Sequence, residues 1–258
     1  MNVYVMVDME GVSGICRVSQ VMQGQPDYDK SRKYITWDVN SCVKGCFDGG
    51  AKRVLVRDAH CTGFNLLWDE LDPRAEYIQG DSGTERMPGL DSFDGMILLG
   101  YHAMAGTSSA VLEHTMSSAG WQHFWLNGAK AGEIAIDAGI AGDHNVPVIM
   151  VSGDDKACAE ARRLLRGVVT AEVKKGLSRE GAILLAKDKA HMLIAECAAA
   201  AVRNFGNVKP LRIRRPVKMR LELVSKSKVP GERDNLKVIN GRTYEVTGPD
   251  VEKALKLL

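Results

Sequence analysis

The 258-residue sequence contains no run of about 18 consecutive apolar residues, the length that indicates a membrane-spanning helix. Its first residues carry no basic stretch, and Asp8 comes too early for the apolar core of a signal peptide. The formal net charge is only +2, so no overall field attracts nucleic acid or a membrane surface. We therefore expect a cytoplasmic protein with no membrane partner and no nucleic-acid partner.

Cysteine is sparse and scattered, with six residues in the chain and no C-x-x-C pair. This spacing provides neither a disulfide framework nor a cysteine-rich structural zinc site. We interpret the thiols as buried or incidental side chains in a reducing compartment. Internal repeats and low-complexity tracts are also absent, and the length allows one large domain or a main domain with a smaller appendage.

Apolar segments with strand character alternate with helical patterns in the first two thirds of the chain. The predicted buried strands are residues 3–7, 53–60, 95–103 and 146–153. Residues 28–47 have apolar side chains at helical spacing, and Asn127-Gly128 favours a type I′ hairpin before a helix that begins near Glu133. The pattern predicts an α/β fold, with a mostly parallel sheet flanked by helices and an inserted hairpin.

The last third of the chain has a different character. We predict a helix that is capped by Ser152 or Asp154 and runs to Arg166, and a long alanine-rich helix from Ser178 to about Asn204. The remaining predicted elements are a half-exposed strand within residues 209–224, a second type I′ hairpin at Asn240-Gly241 and a closing helix over residues 249–258. We interpret residues 1–167 as an α/β domain and residues 168–258 as a smaller α+β region.

Polar side chains follow three of the predicted strands at the point where each strand ends. Asp8 and Glu10 follow the first strand, Asp58 and His60 close the second, and His102 closes the third. The carboxyl ends of strands in an open α/β sheet meet at one crevice, and residues two apart in an extended segment point the same way. Adjacent carboxylates repel unless a cation or a proton lies between them. Imidazole and carboxylate without a thiolate set therefore predict a catalytic zinc or a similar transition metal.

Six separated segments of the sequence together resemble the motifs of a known family. They are VDMEG (7–11), DAH (58–60), LGYHA (99–103), EHTM (113–116), GE (132–133) and VPVIMVSGDD (146–155). In order and spacing they resemble the zinc-dependent D-aminopeptidase family, also described as dipeptide-transport D-aminopeptidases. The resemblance covers about the first 155 residues and is weak from residue 203 onward.

The resemblance implies a hydrolase with two zinc ions per chain. The family's ligands match Asp8, Glu10, His60, His102 and Glu133, with Asp8 bridging the metals, and the family's catalytic histidine matches His114. The implied reaction is release of an N-terminal D-amino acid, such as D-Ala, from a short peptide, with a bridging hydroxide as the nucleophile. The implied assembly is a homo-oligomer, a decamer of two pentameric rings. Residues 1–167 are then the predicted catalytic domain that carries the metal site, and residues 168–258 are a candidate for oligomer contacts and for the substrate pocket. The other histidines, His123, His144 and His191, are predicted to be structural.

Two alternative functions share part of this pattern or of the family's description. A magnesium phosphatase of the haloacid-dehalogenase type would share DMEG and GDD, but that chemistry requires a second aspartate where Glu10 stands and a hydroxyl residue where Val12 stands. A non-catalytic peptide-binding component of transport would require an export signal, which the first eight residues do not supply. The basic segment RIRRPVKMR alternates with apolar residues and indicates a solvated strand face more than a nucleic-acid surface.

Overall fold

The computed structural model describes residues 1–258, apart from the side chain of Ser227. The strands are β1 (Asn2–Val7), β2 (Arg53–Asp58), β3 (Glu76–Ile78), β4 (Gly95–Tyr101), β5 (Trp121–Leu126), β6 (Ala129–Lys130), β7 (Val148–Asp154), β8 (Val169–Ser178), β9 (Gly181–Leu184), β10 (Val217–Leu223), β11 (Leu236–Asn240) and β12 (Thr243–Gly248). The α-helices are α1 (Val18–Val21), α2 (Tyr28–Asp48), α3 (Glu133–Asp143), α4 (Asp155–Leu164), α5 (Lys187–Arg203) and α6 (Val251–Leu255). None of these helices has the length and apolar character needed to cross a membrane.

A large sheet of seven strands has the order β3-β2-β1-β4-β7-β8-β9. Neighbouring strands are parallel except β8 and β9, which are antiparallel. The chain builds outward from β1 to β2 and β3 on one side and to β4 and β7 on the other. The strand order therefore reverses beside β1, and a parallel sheet leaves a crevice at such a point. The register places Val7 beside Asp58 on β2 and beside Leu99 on β4, so these three strands end together.

The large sheet lies between two layers, as the alternation along β1 requires. Val3, Val5 and Val7 point to one face, where α2 and α5 pack. Tyr4 and Met6 point to the other face, which is covered by α3, α6 and a small antiparallel sheet of order β11-β12-β10-β5-β6. Both faces of β1 are thus buried, which explains its nearly continuous apolar sequence.

The predicted α/β class is confirmed, and so is the first hairpin. Asn127 and Gly128 have positive φ angles of 48° and 86°, and β5 pairs antiparallel with β6 across them. Helix α2 closely matches the predicted span, and α3 begins at Glu133 as predicted. Asp154 caps α4 by accepting a hydrogen bond from the amide of Ala157 at 2.8 Å, whereas Ser152 hydrogen-bonds to β4.

Two local predictions in the last third are wrong, the start of a helix and the type of a turn. The helix predicted from Ser178 begins only at Lys187, because residues 169–178 pair with β7 and residues 181–184 with β8. The strand predicted within residues 209–224 is present and covers only Val217–Leu223, after Pro216, which has no N–H to donate to a sheet.

The second hairpin is present, but its turn is not type I′. Asn240 pairs with Thr243, so the turn residues are Gly241 and Arg242, and neither has a positive φ. The side chain of Asn240 instead accepts a hydrogen bond from the amide of Arg242 at 2.9 Å.

The predicted domain division at residue 167 falls between β7 and β8, which pair within the large sheet. The residues after it supply β8 and β9 to the large sheet and β10, β11 and β12 to the small one. The assignment of separate roles to the two parts stays a prediction.

Candidate metal centre

Three strand ends and one helix start deliver charged side chains to the crevice beside β1. Asp8 and Glu10 follow β1, His60 follows β2, His102 follows β4, and Glu133 is the first residue of α3. All five are buried, with at most 9% of any of them exposed. Buried charges at this density require partners of opposite charge.

The carboxylate of Asp8 faces a different imidazole with each of its two oxygens. Its Oδ1 lies 2.9 Å from Nδ1 of His60, and its Oδ2 lies 3.3 Å from Nε2 of His102. Glu10 Oε2 lies 3.2 Å from the same nitrogen of His60, and Glu133 Oε1 lies 3.2 Å from the same nitrogen of His102. We call Asp8, Glu10 and His60 the first ligand group, and Asp8, His102 and Glu133 the second ligand group.

The main chain fixes which nitrogen of each imidazole faces the carboxylates. His60 Nε2 lies 2.9 Å from the carbonyl oxygen of Val21, and His102 Nδ1 lies 3.0 Å from that of Ala103. Each of these nitrogens must donate its proton to the carbonyl, so the other nitrogen of each neutral ring presents a lone pair. Lone pairs of nitrogen and of carboxylate oxygen then face one another in both ligand groups, and only a cation or a proton between them removes the repulsion.

The pKa shifts of these side chains reflect the strong interaction between the carboxylates and the imidazoles. Burial alone raises the pKa of Asp8, but contacts with His102 and His60 outweigh it and hold this pKa well below the ordinary value. Burial lowers the pKa of His60, but the charge of Glu10 and the contact with Asp8 raise it well above the ordinary value. The pKa of His102 is raised in the same way by Glu133 and Asp8. The crevice therefore attracts positive charge strongly.

Two buried atoms of the centre lack a hydrogen-bond partner. They are Oε2 of Glu10 and Nε2 of His102, one in each ligand group. Both lie within 3.3 Å of a carboxylate or an imidazole of the same ligand group. Buried polar atoms without a hydrogen-bond partner that lie beside other ligand atoms suit a metal site. The ligand atoms of Asp8, Glu10 and His60 all lie within 4.8 Å of one another.

His114 lies at the edge of the second ligand group. Its ring stacks on that of His102, with centroids 4.1 Å apart, and its Nε2 lies 3.8 Å from Oε1 of Glu133. Its Nδ1 lies 2.9 Å from the carbonyl oxygen of Leu112, which leaves Nε2 as the nitrogen that can exchange a proton. Leu112 and Met116, on either side, have unfavourable positive φ angles of 50° and 59°. Such strain is common where a loop must aim a functional side chain.

The spacing groups Asp58 with His60, but Asp58 stabilises the loop after β2 and is not part of the metal centre. Its carboxylate accepts hydrogen bonds from the amide and the side chain of Asn65, at 2.7 and 2.8 Å. Cys61 is exposed and does not join either candidate ligand group. The three histidines predicted to be structural each lie beside a carboxylate outside the centre. The pairs are His123 with Glu222, His144 with Asp91 and His191 with Asp38.

Arg86, Tyr101 and Asp137 form a hydrogen-bonded network next to Glu133, and no sequence motif predicts it. Asp137, one helical turn after Glu133, is fully buried and accepts a hydrogen bond from Tyr101 at 2.6 Å and a pair of hydrogen bonds from Arg86. A terminal nitrogen of Arg86 also lies 3.9 Å from Oε2 of Glu133. Arg86 comes from a distant loop, so only the folded chain brings it to α3. The hydroxyl of Tyr101 joins α3 to the end of β4, and the guanidinium of Arg86 joins the start of α3 to the loop.

Comparison with known proteins agrees with this geometry. A family model described as D-aminopeptidase matches residues 1–258. This chain belongs to the D-aminopeptidase family. The D-aminopeptidase of Bacillus subtilis (strain 168) is 41% identical over 213 residues, which are 82% of this chain and 77% of that protein.

A solved structure extends the likeness to the whole fold. It is described as the Zn-dependent D-aminopeptidase DppA from Bacillus subtilis, a self-compartmentalizing protease. The match has a TM-score of 0.93 and 35% identity, and it covers 99% of this chain and 94% of that one. The predicted family is confirmed, and with it the predictions that this D-aminopeptidase family member is an enzyme and a hydrolase.

Proposed function

We propose that this chain is a zinc-dependent aminopeptidase that releases N-terminal D-amino acids, such as D-Ala, from short peptides and uses two zinc ions. The observation that carries the proposal is the carboxylate of Asp8, whose two oxygens face two different imidazoles at 2.9 and 3.3 Å. One carboxylate shared in this way suits a pair of metals. The proposed ligands are Asp8, Glu10, His60, His102 and Glu133.

The donor set fits zinc. Two imidazole nitrogens and three carboxylates, with no thiolate, resemble the ligands of catalytic zinc more than those of structural zinc, calcium or magnesium. The related solved protein is described as Zn-dependent. Zinc ions bound there would polarise the scissile carbonyl and lower the pKa of an attacking water to about 7.

The protein side chains would orient the metals and the substrate. Asp8 joins the two ligand groups, Glu10 completes the first, and Glu133 completes the second with support from Arg86. The buried position of these carboxylates excludes bulk water and strengthens their interaction with charge. A carboxylate of the site would also hold the free α-amine of the substrate.

His114 is the proposed proton-transfer residue. Its Nδ1 is committed to the carbonyl of Leu112, so Nε2 would carry the proton that stabilises the developing oxyanion or reaches the leaving amine. Its side chain is 16% exposed, more than that of any proposed ligand, so a substrate could reach it. The ring is stacked on His102, which fixes its orientation.

A cavity beside the centre has the size for the rest of a short peptide. Its volume is about 340 Å³, and it is lined by Cys61, next to His60, and by Arg86, which reaches Glu133. Its lining carries both signs of charge, since Asp81, Glu85 and Glu252 lie there with Arg57, Arg86 and Lys256. The buried Nε of Arg57 has no hydrogen-bond partner, whereas Arg86 is paired with Asp137. We propose that Arg57 attracts the carboxylate of the substrate's C-terminal residue.

One comparison of substrates tests the proposed activity. The purified protein is incubated with D-Ala-D-Ala and with L-Ala-L-Ala, each with added zinc and each with a chelator. We expect release of D-Ala only from the first peptide and only with zinc. Equal cleavage of both peptides would remove the stereochemical part of the proposal, and full activity in chelator would remove the metal.

A further inference from the structure

Lys174 is a lysine in the protein interior, only 1% exposed, on strand β8. Its ammonium donates three hydrogen bonds to main-chain carbonyl oxygens. They are those of Glu10 at 2.6 Å, Val12 at 2.8 Å and Ile15 at 2.6 Å. An ammonium has three N–H donors, so every donor is used and the buried charge is fully hydrogen-bonded.

All three acceptors belong to one short segment, residues 10–15, which we call the β1 loop. This loop begins with Glu10, a proposed ligand of the first group. Its carbonyl oxygens turn inward around a single nitrogen, an arrangement that neither a helix nor a sheet provides. Without Lys174 the carbonyls of Glu10 and Ile15 would lose this partner, at a cost that a native structure normally avoids, whereas the carbonyl of Val12 also accepts a hydrogen bond from the amide of Ile15 at 3.3 Å.

The opposite side of the β1 loop is held by helix α2. Ser13 donates its amide and its hydroxyl to the buried carboxylate of Asp38, at 2.8 and 2.6 Å. The amide of Gly11 donates to the carbonyl of Gly100 at 2.7 Å. These contacts fix the path of the loop, but only Lys174 bonds the main chain of Glu10 itself.

We propose that Lys174 is a positioning residue for the metal centre, which holds the main chain of Glu10 so that its carboxylate faces His60. This inference rests on the proposed metal function. Lys174 touches no substrate and acts through Glu10. The second ligand group depends on it less, since His102 and Glu133 come from β4 and α3, and the amide of Asp8 is held by the carbonyl of Leu99 on β4 at 2.9 Å.

The direction of the effect separates positioning from simple electrostatics. The positive charge of Lys174 repels a metal cation held by Glu10, so its removal by charge alone would tighten metal binding. Loss of its three hydrogen bonds would instead let Glu10 move away from His60. The proposal predicts weaker binding at the first ligand group, by about 10- to 100-fold, as is usual when a residue behind a metal ligand is removed.

The test is a zinc titration of the full-length protein, by calorimetry after removal of metal. Lys174→Met removes the donors and keeps most of the apolar stem, and Lys175→Met is the matched control, since Lys175 is the next residue on β8 and is exposed. We expect two zinc ions for the wild type and for Lys175→Met. For Lys174→Met we expect one tight site and one site weakened at least about tenfold.

Each outcome decides between the alternatives. Wild-type affinity at both sites of Lys174→Met would overturn the inference and leave the proposed function intact. Absence of zinc binding by the wild type would instead overturn the proposed function. Should Lys174→Met not fold, Lys174→Gln keeps two N–H donors on a shorter side chain. Weakening of zinc binding at one site of this variant would support the inference, and wild-type affinity at both sites would overturn it. Failure of both variants to fold without metal would overturn it, because Lys174 would then belong to the fold and not to the site.

Discussion

At the scale of single residues, the site depends on Asp8, whose carboxylate alone reaches both ligand groups. Its Oδ1 faces His60 and its Oδ2 faces His102. The amide of Met9 also donates to Oδ1 at 2.8 Å, which fixes the rotation of the carboxylate. Among the described residues, Asp8 is the side chain that lies within ion-pair distance of both His60 and His102.

His114 provides the prediction that belongs to this scale. We expect His114→Ala to retain two zinc ions and to lose about 10²- to 10⁴-fold in kcat, the usual contribution of a positioned acid or base. The measurements are the zinc content and the turnover of D-Ala-D-Ala. His123→Ala is the control, because His123 lies beside Glu222 on the small sheet. Unchanged turnover would remove His114 from the mechanism, and loss of one zinc would place it among the ligands.

The sequence predicts some of these residues and not others, for physical reasons. Asp8, Glu10, His60 and His102 follow apolar strands, and the topology of a parallel sheet collects strand ends. Glu133 gives no such signal, since a glutamate in the first turn of a helix is ordinarily there for the helix dipole. Only the family resemblance identified it.

At the scale of elements, β1 and β4 approach very closely where they end beside the crevice. A Cβ at Gly11 would lie 2.0 Å from the carbonyl oxygen of Tyr101 and 2.4 Å from the carbonyl carbon of Gly100. No side chain fits there. This glycine is therefore required for a close contact between two strand ends, one carrying Glu10 and the other His102.

Gly11→Ala is the prediction for this scale. The added methyl group must separate the ends of β1 and β4, so we expect a loss of about 1–3 kcal/mol in the free energy of unfolding and weaker zinc binding. Chemical denaturation and zinc titration measure the two effects. Gly206→Ala is the control, because a Cβ there meets no atom within 4 Å. Wild-type stability and zinc affinity in Gly11→Ala would contradict this account of the crevice.

Element prediction from the sequence succeeded where local pattern and tertiary pairing agree. Asn127-Gly128 forms the predicted hairpin because both residues adopt the required positive φ. The helix predicted over residues 178–186 is wrong, because the apolar side chains of Ile183 and Leu184 fit a helix as well as a strand. Pairing with β8 makes this segment a strand. Lys174 and Arg86 could not be found, since their partners are far away in the sequence.

At the scale of the whole molecule, apolar side chains are exposed near both edges of the large sheet, which are formed by β3 and β9. Phe64 and Trp68 are 61% and 82% exposed beside β3, whereas Leu177 and Ile183 are 61% and 58% exposed on β8 and β9. Two different patches at opposite edges suit head-to-tail contacts between copies. Such contacts form a ring when the rotation from one copy to the next closes on itself. The related solved protein is described as self-compartmentalizing. We propose that this chain forms a homo-oligomer, a decamer of two pentameric rings.

Native mass spectrometry tests this proposal. We expect ten copies of the 28.1 kDa chain for the wild type. We expect smaller species for Trp68→Glu, because a charge at the centre of an apolar contact is costly to bury. A wild-type monomer would contradict the proposal, and an intact decamer of Trp68→Glu would move the interface away from this patch.

The most direct measurement of the central claim is anomalous diffraction at the zinc absorption edge, from crystals of the full-length protein grown with zinc. The account predicts two peaks in each chain, with Asp8 between them. One peak would lie among Asp8, Glu10 and His60, and the other among Asp8, His102 and Glu133. A single peak in the crevice, or zinc bound only elsewhere, would contradict the claim that Asp8 joins two metal ions.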